Sequence, residues 1–537
     1  MINYKYYGIF GESYTKKLDK KYAKNPSQFY KDIKSCPYHV MIDIAEIPWK
    51  TADSNIIKYK LAEEDCYERC QYATYAALKQ NESKGNTRIK DAELAEEVNN
   101  LAHNSISHIA TIVNNDDKIY YDAKSHYVAL VGTYNAEKNI AYHIHTRLKR
   151  RKKPLDIDIE KYRHGDIELT DEQISMLEAV KNNRICMLNG CAGSGKSATL
   201  NAALDMLDDC NKSYACMAPT GIASKIMRSY TNRSASTIHM FLTASWSPDY
   251  IIVDEISMVA VHLLSRLLDA IGTKPNLIFI GDSAQLASIS CGSLLRDITS
   301  YSAVPRVNLT KIFRYNTSGI VTIATDTRYG ISDNLTKQYD DYMFIPTGSE
   351  PINQVVNVYD DLIKQGYTMD DILVLCPFNK HIGSDEINRR ISDKYNTNPP
   401  VRANSNIKIG DKVINIKNKY DDGELIANGD MGWLRAKEDK KYLVDFDFGS
   451  YWIDSLMNLK QAYSISVHKS QGSSAKIVVV LIDKSHGFML SRNLLYTAIT
   501  RARDKLYIIG DLDAIKNGLN VIEQDKRNTW LGELLNG

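Results

Sequence analysis

The sequence contains no long hydrophobic run. Its unbroken apolar stretches, such as Ile477 to Ile482, are too short to cross a bilayer. The first ten residues (MINYKYYGIF) hold no apolar segment ahead of a small-residue cleavage site. These absences exclude the membrane-spanning and secreted classes, and a soluble, cytoplasmic protein is expected. Net charge is equally scarce: 67 Lys and Arg against 65 Asp and Glu leave +2. Any polyanion-binding surface must therefore be local. The densest basic cluster is Arg147, Lys149, Arg150, Arg151, Lys152 and Lys153, ended by Pro154. It reads as a solvated helix end and linker, with a phosphate-contacting stripe as the alternative. The nine cysteines are odd in number and scattered, without a Cys-x-x-Cys pair. That excludes a paired zinc site and leaves buried thiols in a reducing compartment.

What is present is a glycine-rich loop. Gly190, Cys191, Ala192, Gly193, Ser194, Gly195, Lys196 and Ser197 follow the apolar run Ile185, Cys186, Met187, Leu188. A strand therefore feeds a phosphate loop. The glycines permit backbone angles that turn successive N–H groups around a polyphosphate. Lys196 supplies a point charge toward the outer phosphates, and the Ser197 hydroxyl suits Mg²⁺. Leu200, Ala203, Leu204 and Leu207 then share one helix face, which aims the helix N-terminus at the phosphates. ATP, or a close relative of it, is the expected ligand, with Mg²⁺.

At 537 residues the chain is too long for one core, and three to four domains are expected. Residues 1–165 lack this chemistry. Helical spacing over Glu63–Gln80 and Asp91–Ala102, then a hairpin from Ile112 and Val113 through an acidic turn to Ile119–Tyr121, predict a small winged-helix-like unit. A helix over Asn135–Leu148 and the basic linker follow. Residues 166–320 alternate helices with the candidate strands Ile185–Leu188, Tyr214–Met217, Ile251–Val253 and Leu277–Ile280, the pattern of a doubly wound parallel sheet. A second such sheet is expected from residues 321–406 and 462–537, with Ile372–Leu375, Ile477–Ile482 and Leu506–Ile509 as strands. Between its parts, residues 407–461 alternate apolar and polar positions around the Asn428-Gly429 turn. A five-stranded SH3-like β insert fits that length. The fold class predicted is α/β.

Chemistry sits at the strand ends. The run Tyr250–Val253 delivers Asp254, placed to hold Mg²⁺, and Glu255, placed to polarise an attacking water. The next strand delivers Asp282 and Gln285 toward a terminal phosphate, where a neutral, bifunctional Gln can orient water. Arg314 and Arg501 are candidates to stabilise the charge of phosphoryl transfer. Because Arg501 belongs to the second sheet, it would engage only as the two lobes close.

Taken in order, these segments and their neighbours resemble superfamily-1 helicases of the RecD-like branch. Leu169-Thr170-Asp171-Glu172-Gln173 resembles the adenine-reading segment, with Gln173 as its glutamine. Ala218-Pro219-Thr220-Gly221 and Ser236-Thr237-Ile238-His239 resemble strand-gripping motifs, and Ala324–Arg328 and Cys376-Pro377-Phe378-Asn379 resemble second-lobe landmarks. Ile409–Val413 with Asn428–Gly432 resembles the insert, and Ser466–Gly472 the motif that touches both DNA and nucleotide. The resemblance implies two RecA-like lobes and an ATP-driven 5′–3′ motor on single-stranded DNA and duplex junctions, acting in replication, recombination or repair. It also implies nucleotide contacts from Gln471 and Gly472, and DNA contacts from Pro219, Thr220, Thr237, His239, Ser466 and His468. A monomer is expected, with partner proteins recruited through the N-terminal region, and the compact architecture suits a phage or bacterial genome.

The sequence departs from the family at Ile222, Met240, Ala287, Ser288 and Ser474. It is also short between Met240 and Val253, where relatives carry a duplex-splitting hairpin. Either Trp246 splits by stacking, another domain supplies the wedge, or strand separation is weak. A translocase that unwinds poorly or acts on RNA, and a nucleotide-regulated binding module, are the competing readings.

Overall fold

Buried apolar runs between residues 185 and 309 line up as one parallel sheet, and a second group does the same beyond residue 342. The computed structural model describes residues 7–537 apart from 165–167, 245, 314–318, 403–404, 422–423 and 440. No helix among the described residues is long and apolar enough to cross a membrane.

The N-terminal region begins with helices and then forms a helix at Tyr67–Ser83, β1 (Ile89–Lys90), and helices at Asp91–Ala102 and Ile109–Asn115. The hairpin β2 (Ile119–Asp122) and β3 (Tyr127–Leu130) follows. The antiparallel sheet runs β1-β3-β2. The hairpin is thus one step later than its expected position. Ile112 and Val113 are buried on a short helix rather than in a strand, because an isolated apolar pair fits either period.

The helix Val131–Lys149 belongs to the first lobe's core rather than to the N-terminal unit. Its Ala136, Ile140 and Ile144 pack with Leu264, Leu267 and Leu268 of the helix Val261–Ile271. This placement corrects the reading of two members of the basic cluster, while Lys149, Arg150, Arg151 and Lys153 are exposed as a solvated helix end and linker. Arg147 is 1% exposed, and its guanidinium donates to Pro275 O at 3.0 Å and Gly272 O at 2.6 Å, satisfying carbonyls at a helix end. Lys152 donates to Val180 O and Asn183 O. These two cations hold structure and are not available as a phosphate stripe.

The first lobe is a six-stranded parallel sheet of β4 (Ile185–Gly190), β5 (Tyr214–Ala218), β6 (Ala235–Thr237), β7 (Tyr250–Val253), β8 (Asn276–Gly281) and β9 (Arg306–Leu309), in the order β6-β5-β7-β8-β4-β9. Every residue of β7 is buried, as a strand covered on both faces requires. The second lobe contains β10 (Tyr342–Pro346) and β11 (Ile372–Cys376). The chain then leaves for an antiparallel insert: β12 (Lys412–Asn415), the hairpin β13 (Lys419–Asp421) and β14 (Glu424–Ile426), β15 (Met431–Glu438), β16 (Lys441–Phe446), β17 (Gly449–Ile453) and β18 (Leu459–Gln461). Five of these strands form one sheet, β17-β16-β15-β12-β18. The chain returns as β19 (Ser464–Ser466), β20 (Ala475–Ile482) and β21 (Ala502–Gly510), completing the parallel order β10-β21-β20-β11-β19. The two parallel sheets are RecA-like lobes. The strands that pattern alone did not predict, β6, β9, β10 and β19, are short and lie at sheet edges, where apolar runs are weakest.

The last residues do not stay with the second lobe as expected. Thr87 N–H donates to Asn528 O at 2.8 Å, Trp530 packs edge-on against Tyr120, Tyr127 and Tyr134, and Leu531 and Leu535 enter the first lobe's core. Trp530 N–H donates at 3.1 Å to Glu137, a fully buried carboxyl whose pKa is pushed up to about 8 by that burial. A buried acid with a raised pKa is held protonated in the fold. Its contribution to stability is lost as pH rises from the unfolded value toward the folded one. Glu137→Gln is therefore expected to melt close to wild type at pH 5 and several degrees above it at pH 8.5. Parallel melting curves at the two pH values would disprove the neutral form.

Candidate active site and nucleic-acid cleft

The phosphate loop, Asp254-Glu255 and the Asp282–Gln285 segment leave the first sheet at its carboxyl edge, where ligands bind in open α/β sheets. The phosphate loop follows β4 and opens the helix Lys196–Asp209. Gly193 and Gly195 have φ of +79° and +87°, the left-handed region that glycine alone enters freely. Lys196 Nζ donates to Gly190 O at 2.7 Å and Cys191 O at 2.9 Å, and Ser194 Oγ donates to Cys191 O at 2.9 Å.

Gln173 sits under the loop, 2% exposed. Its Oε1 accepts from Thr170 N–H in a capping box, and its Nε2 donates to Gly195 O at 3.3 Å. Phe313 N–H donates to Gly193 O at 2.9 Å, and the half-exposed Phe313 ring borders the same pocket. This cavity of about 620 Å³ is lined by Gln173, Gly195, Lys196, Ser197, Asn201 and Phe313 among others. Arg314 lies outside the described residues.

Asp254 leaves β7, and its carboxylate accepts from Tyr230 OH and from Glu255 N–H, each at 2.8 Å. Glu255 has a left-handed backbone, φ +51°, which is strained for a non-glycine residue and costs free energy that the surrounding structure must supply. Burial and the neighbouring Asp254 charge push the Glu255 carboxyl up, while Lys196 and Arg501 pull it down. Arg501 is 6% exposed and donates to Thr497 O at 3.1 Å and Ser473 O at 3.0 Å.

The second lobe grips the segment after β8. Asn493 donates to Ala284 O and Gln285 O, Leu286 N–H donates to Thr497 Oγ1, and Gln471 Nε2 donates to Leu286 O at 3.1 Å. Gln285 is buried at this junction. Gly472, φ +77°, passes close to Ala223 of the first lobe. Sequence reasoning placed Asp282 at the nucleotide side of the sheet but did not join it to Arg328 and Tyr496. Asp282 is fully buried, pairs with Arg328 at 3.1 Å and accepts from Tyr496 OH at 2.9 Å. Nothing in one-dimensional spacing joins positions so far apart.

A second cavity, of about 260 Å³, crosses both lobes and the insert. Thr220, Ile222, Ser288, Asn428, Gly429 and His468 are among the residues lining it. Pro219, partly buried, directly precedes Thr220. The Thr220 Oγ1 accepts from Ala223 N–H at 3.2 Å as the cap of the helix Gly221–Thr231, which leaves its own proton for a phosphate oxygen. Thr237 caps the next short helix in the same way.

Burial lowers the His468 pKa, so its imidazole is neutral at neutral pH. Ser466 ends β19 and is 7% exposed. Lys225 Nζ bridges to Asp430 of the insert at 2.6 Å and lies over the Phe448 ring. Thr237, His239 and Trp246 are not among the residues lining this cavity. His239 and Trp246 are exposed on the first lobe, with the Trp246 ring 6.4 Å from that of Phe241.

Two parallel-sheet lobes, with a phosphate loop on one and hydrogen bonds from the other to that loop and to the segment after β8, define a P-loop protein with two RecA-like lobes. Residues 168–350 match the AAA domain family, and residues 461–509 match the UvrD-like helicase C-terminal domain. The chain is similar in sequence to RecD and RecD2 proteins. It is 30% identical over 386 residues to the ATP-dependent RecD2 DNA helicase of Deinococcus radiodurans, covering 68% of this chain and 52% of that protein. It is 25% identical over 399 residues to the RecBCD enzyme subunit RecD of Mycolicibacterium smegmatis, covering 63% of this chain and 71% of that one. The chain thus spans about half the length of the Deinococcus protein. A solved structure of Bacteroides Pif1 bound to single-stranded DNA superposes with a TM-score of 0.43 at 18% identity, covering 65% of this chain and 94% of that chain.

Proposed function

We propose that this chain is an ATP-dependent helicase that translocates 5′ to 3′ on single-stranded DNA and opens duplexes at junctions, in replication, recombination or repair. The observation that carries the reading is that the second lobe, through Asn493, Thr497 and Gln471, holds the Ala284–Leu286 segment that follows β8, and through Tyr496 touches the phosphate loop at Ala192. Hydrolysis and the spacing between lobes are then one process.

In this reading the loop N–H groups and Lys196 hold the phosphates, and Glu255 takes the proton of the attacking water. Gln285 orients that water, and Arg501 stabilises charge on the transferred phosphoryl group. Ser197 and Asp254 offer the hard oxygen donors that suit Mg²⁺, which when bound neutralises phosphate charge. Thr220 and His468 face the interlobe cavity with groups that contact phosphate and sugar and read no sequence. Gripping from two lobes whose spacing changes with ATP would ratchet the strand. The chain would act as a monomer, with its N-terminal region docking replication or recombination proteins.

The test is strand displacement on 5′-tailed, 3′-tailed and blunt duplexes. Unwinding of the 5′-tailed substrate alone is expected; preference for a 3′ tail would overturn the polarity.

One observation supports a second reading, a translocase that separates strands poorly. No strand is described between Phe241 and β7, so the splitting hairpin of relatives has no counterpart in that interval among the described residues. The exposed Trp246 is the one aromatic side chain there. Trp246→Ala is expected to cut unwinding several-fold while leaving DNA-stimulated ATP hydrolysis near wild type, since stacking on a base contributes about 1–3 kcal/mol. Equal losses in both assays would remove Trp246 from the splitting role.

A further inference from the structure

One interlobe contact is a buried polar network that phosphate chemistry alone does not require. Tyr496 is 2% exposed and Asp282 is fully buried. The Tyr496 hydroxyl donates to Asp282 Oδ2 at 2.9 Å and accepts from the Ala192 N–H at 3.3 Å. Arg328 Nη1 donates to Asp282 Oδ1 at 3.1 Å and reaches the same hydroxyl at 3.5 Å. A phenol has one proton and two lone pairs, so Tyr496 is fully committed. Three of its partners come from three different places: the phosphate loop, the end of β8, and the helix Gly319–Tyr329 that opens the second lobe.

We infer that Tyr496 is a positioning residue whose hydroxyl competes with the terminal phosphate of the bound nucleotide for the Ala192 N–H. Ala192 is the third residue of the phosphate loop, and the N–H groups of such a loop are what an incoming polyphosphate binds. An oxygen of a terminal phosphate and a phenol oxygen are alternative acceptors for that one donor. The charged acceptor makes the stronger hydrogen bond.

Displacing the phenol then moves more than one bond. The helix Arg492–Ile499 that carries Tyr496 also carries Asn493 and Thr497, which hold Ala284, Gln285 and Leu286. Arg501 follows two residues after that helix and is tied back to Thr497 O. A cavity of about 290 Å³, bordered by Asn308, Ile320, Ala324, Arg328, Tyr496 and Thr500, lies beside the ring and gives it room to swing. The phosphate's arrival is thereby passed to the second lobe as a change of partner at Tyr496. The inference rests on the proposed ATP-driven reading and deepens it by naming the element that separates triphosphate from diphosphate.

Tyr496→Phe keeps the ring and removes the competing oxygen together with its hydrogen bond to Asp282. Affinities of a non-hydrolysable ATP analogue and of ADP are measured by fluorescence titration, each with and without single-stranded DNA. The variant is expected to bind the analogue about two- to tenfold more tightly, the yield of one competing hydrogen bond, with ADP unchanged. Its DNA affinity should no longer depend on which nucleotide is bound. Arg328→Gln leaves the Ala192 contact in place, so it should weaken the nucleotide dependence of DNA binding and keep the wild-type analogue-to-ADP ratio. A purely structural tyrosine would instead weaken analogue and ADP together. That outcome, or an unchanged analogue-to-ADP ratio in Tyr496→Phe, overturns the inference. Wild-type hydrolysis that ignores DNA would defeat the helicase reading instead, and leaves the ratio measurement intact as the test of Tyr496.

Discussion

Lys196→Ala is expected to reduce DNA-stimulated ATP hydrolysis by about 10²- to 10³-fold, to the background of the assay, as removal of one preorganised donor from a charged transition state does. The physical basis is the position of the ammonium. It is anchored on Gly190 O and Cys191 O within the phosphate loop, and its charge reaches both Asp254 and Glu255. Among the described residues no other lysine lines this cavity, so no described lysine replaces it. Because the side chain also ties the loop together, a thermal melt of the variant accompanies the rate measurement. A folded Lys196→Ala protein with substantial turnover would mean that the loop does not handle the reacting phosphate.

Arg501→Ala should behave differently. Turnover is expected to fall by about 10³-fold, the usual effect of removing an arginine finger, with nucleotide affinity largely retained. The guanidinium is held by Thr497 O and Ser473 O in the second lobe, while its field acts on Glu255 in the first. It is thus placed to meet charge that develops only when the lobes are together. Arg501→Lys keeps the charge but loses the planar fork, and should recover only part of the rate. Parallel loss of affinity and turnover in Arg501→Ala would assign the residue to ground-state binding and detach hydrolysis from lobe closure.

The apolar runs at β4, β5, β7, β8, β11, β20 and β21 were legible because strands buried on both faces read as continuous hydrophobic segments. The residues that follow them were legible for the same reason, since a strand end at a sheet's carboxyl edge is where side chains meet a ligand. Less could be read in the N-terminal region. The pair Ile112 and Val113 suited helix or strand equally, and packing against the Tyr67–Ser83 helix and its neighbours decided for helix. The basic cluster shows the limit of charge counting. Arg147 reads as a surface cation until the helix Val261–Ile271 presents it with carbonyls.

Sequence by itself determined the local chemistry: which loop can wrap phosphates, which strand ends carry carboxylates, and that the second of two α/β units is interrupted by a β-rich insert. These are short-range matters, set by backbone freedom and hydrophobic period. Tertiary structure alone decided which distant groups share one space. Tyr496 meets Asp282 and Ala192, Lys225 meets Asp430, and the final residues return to the first lobe and the N-terminal region. Such pairings depend on how whole sheets and helices pack, and no spacing along the chain encodes them.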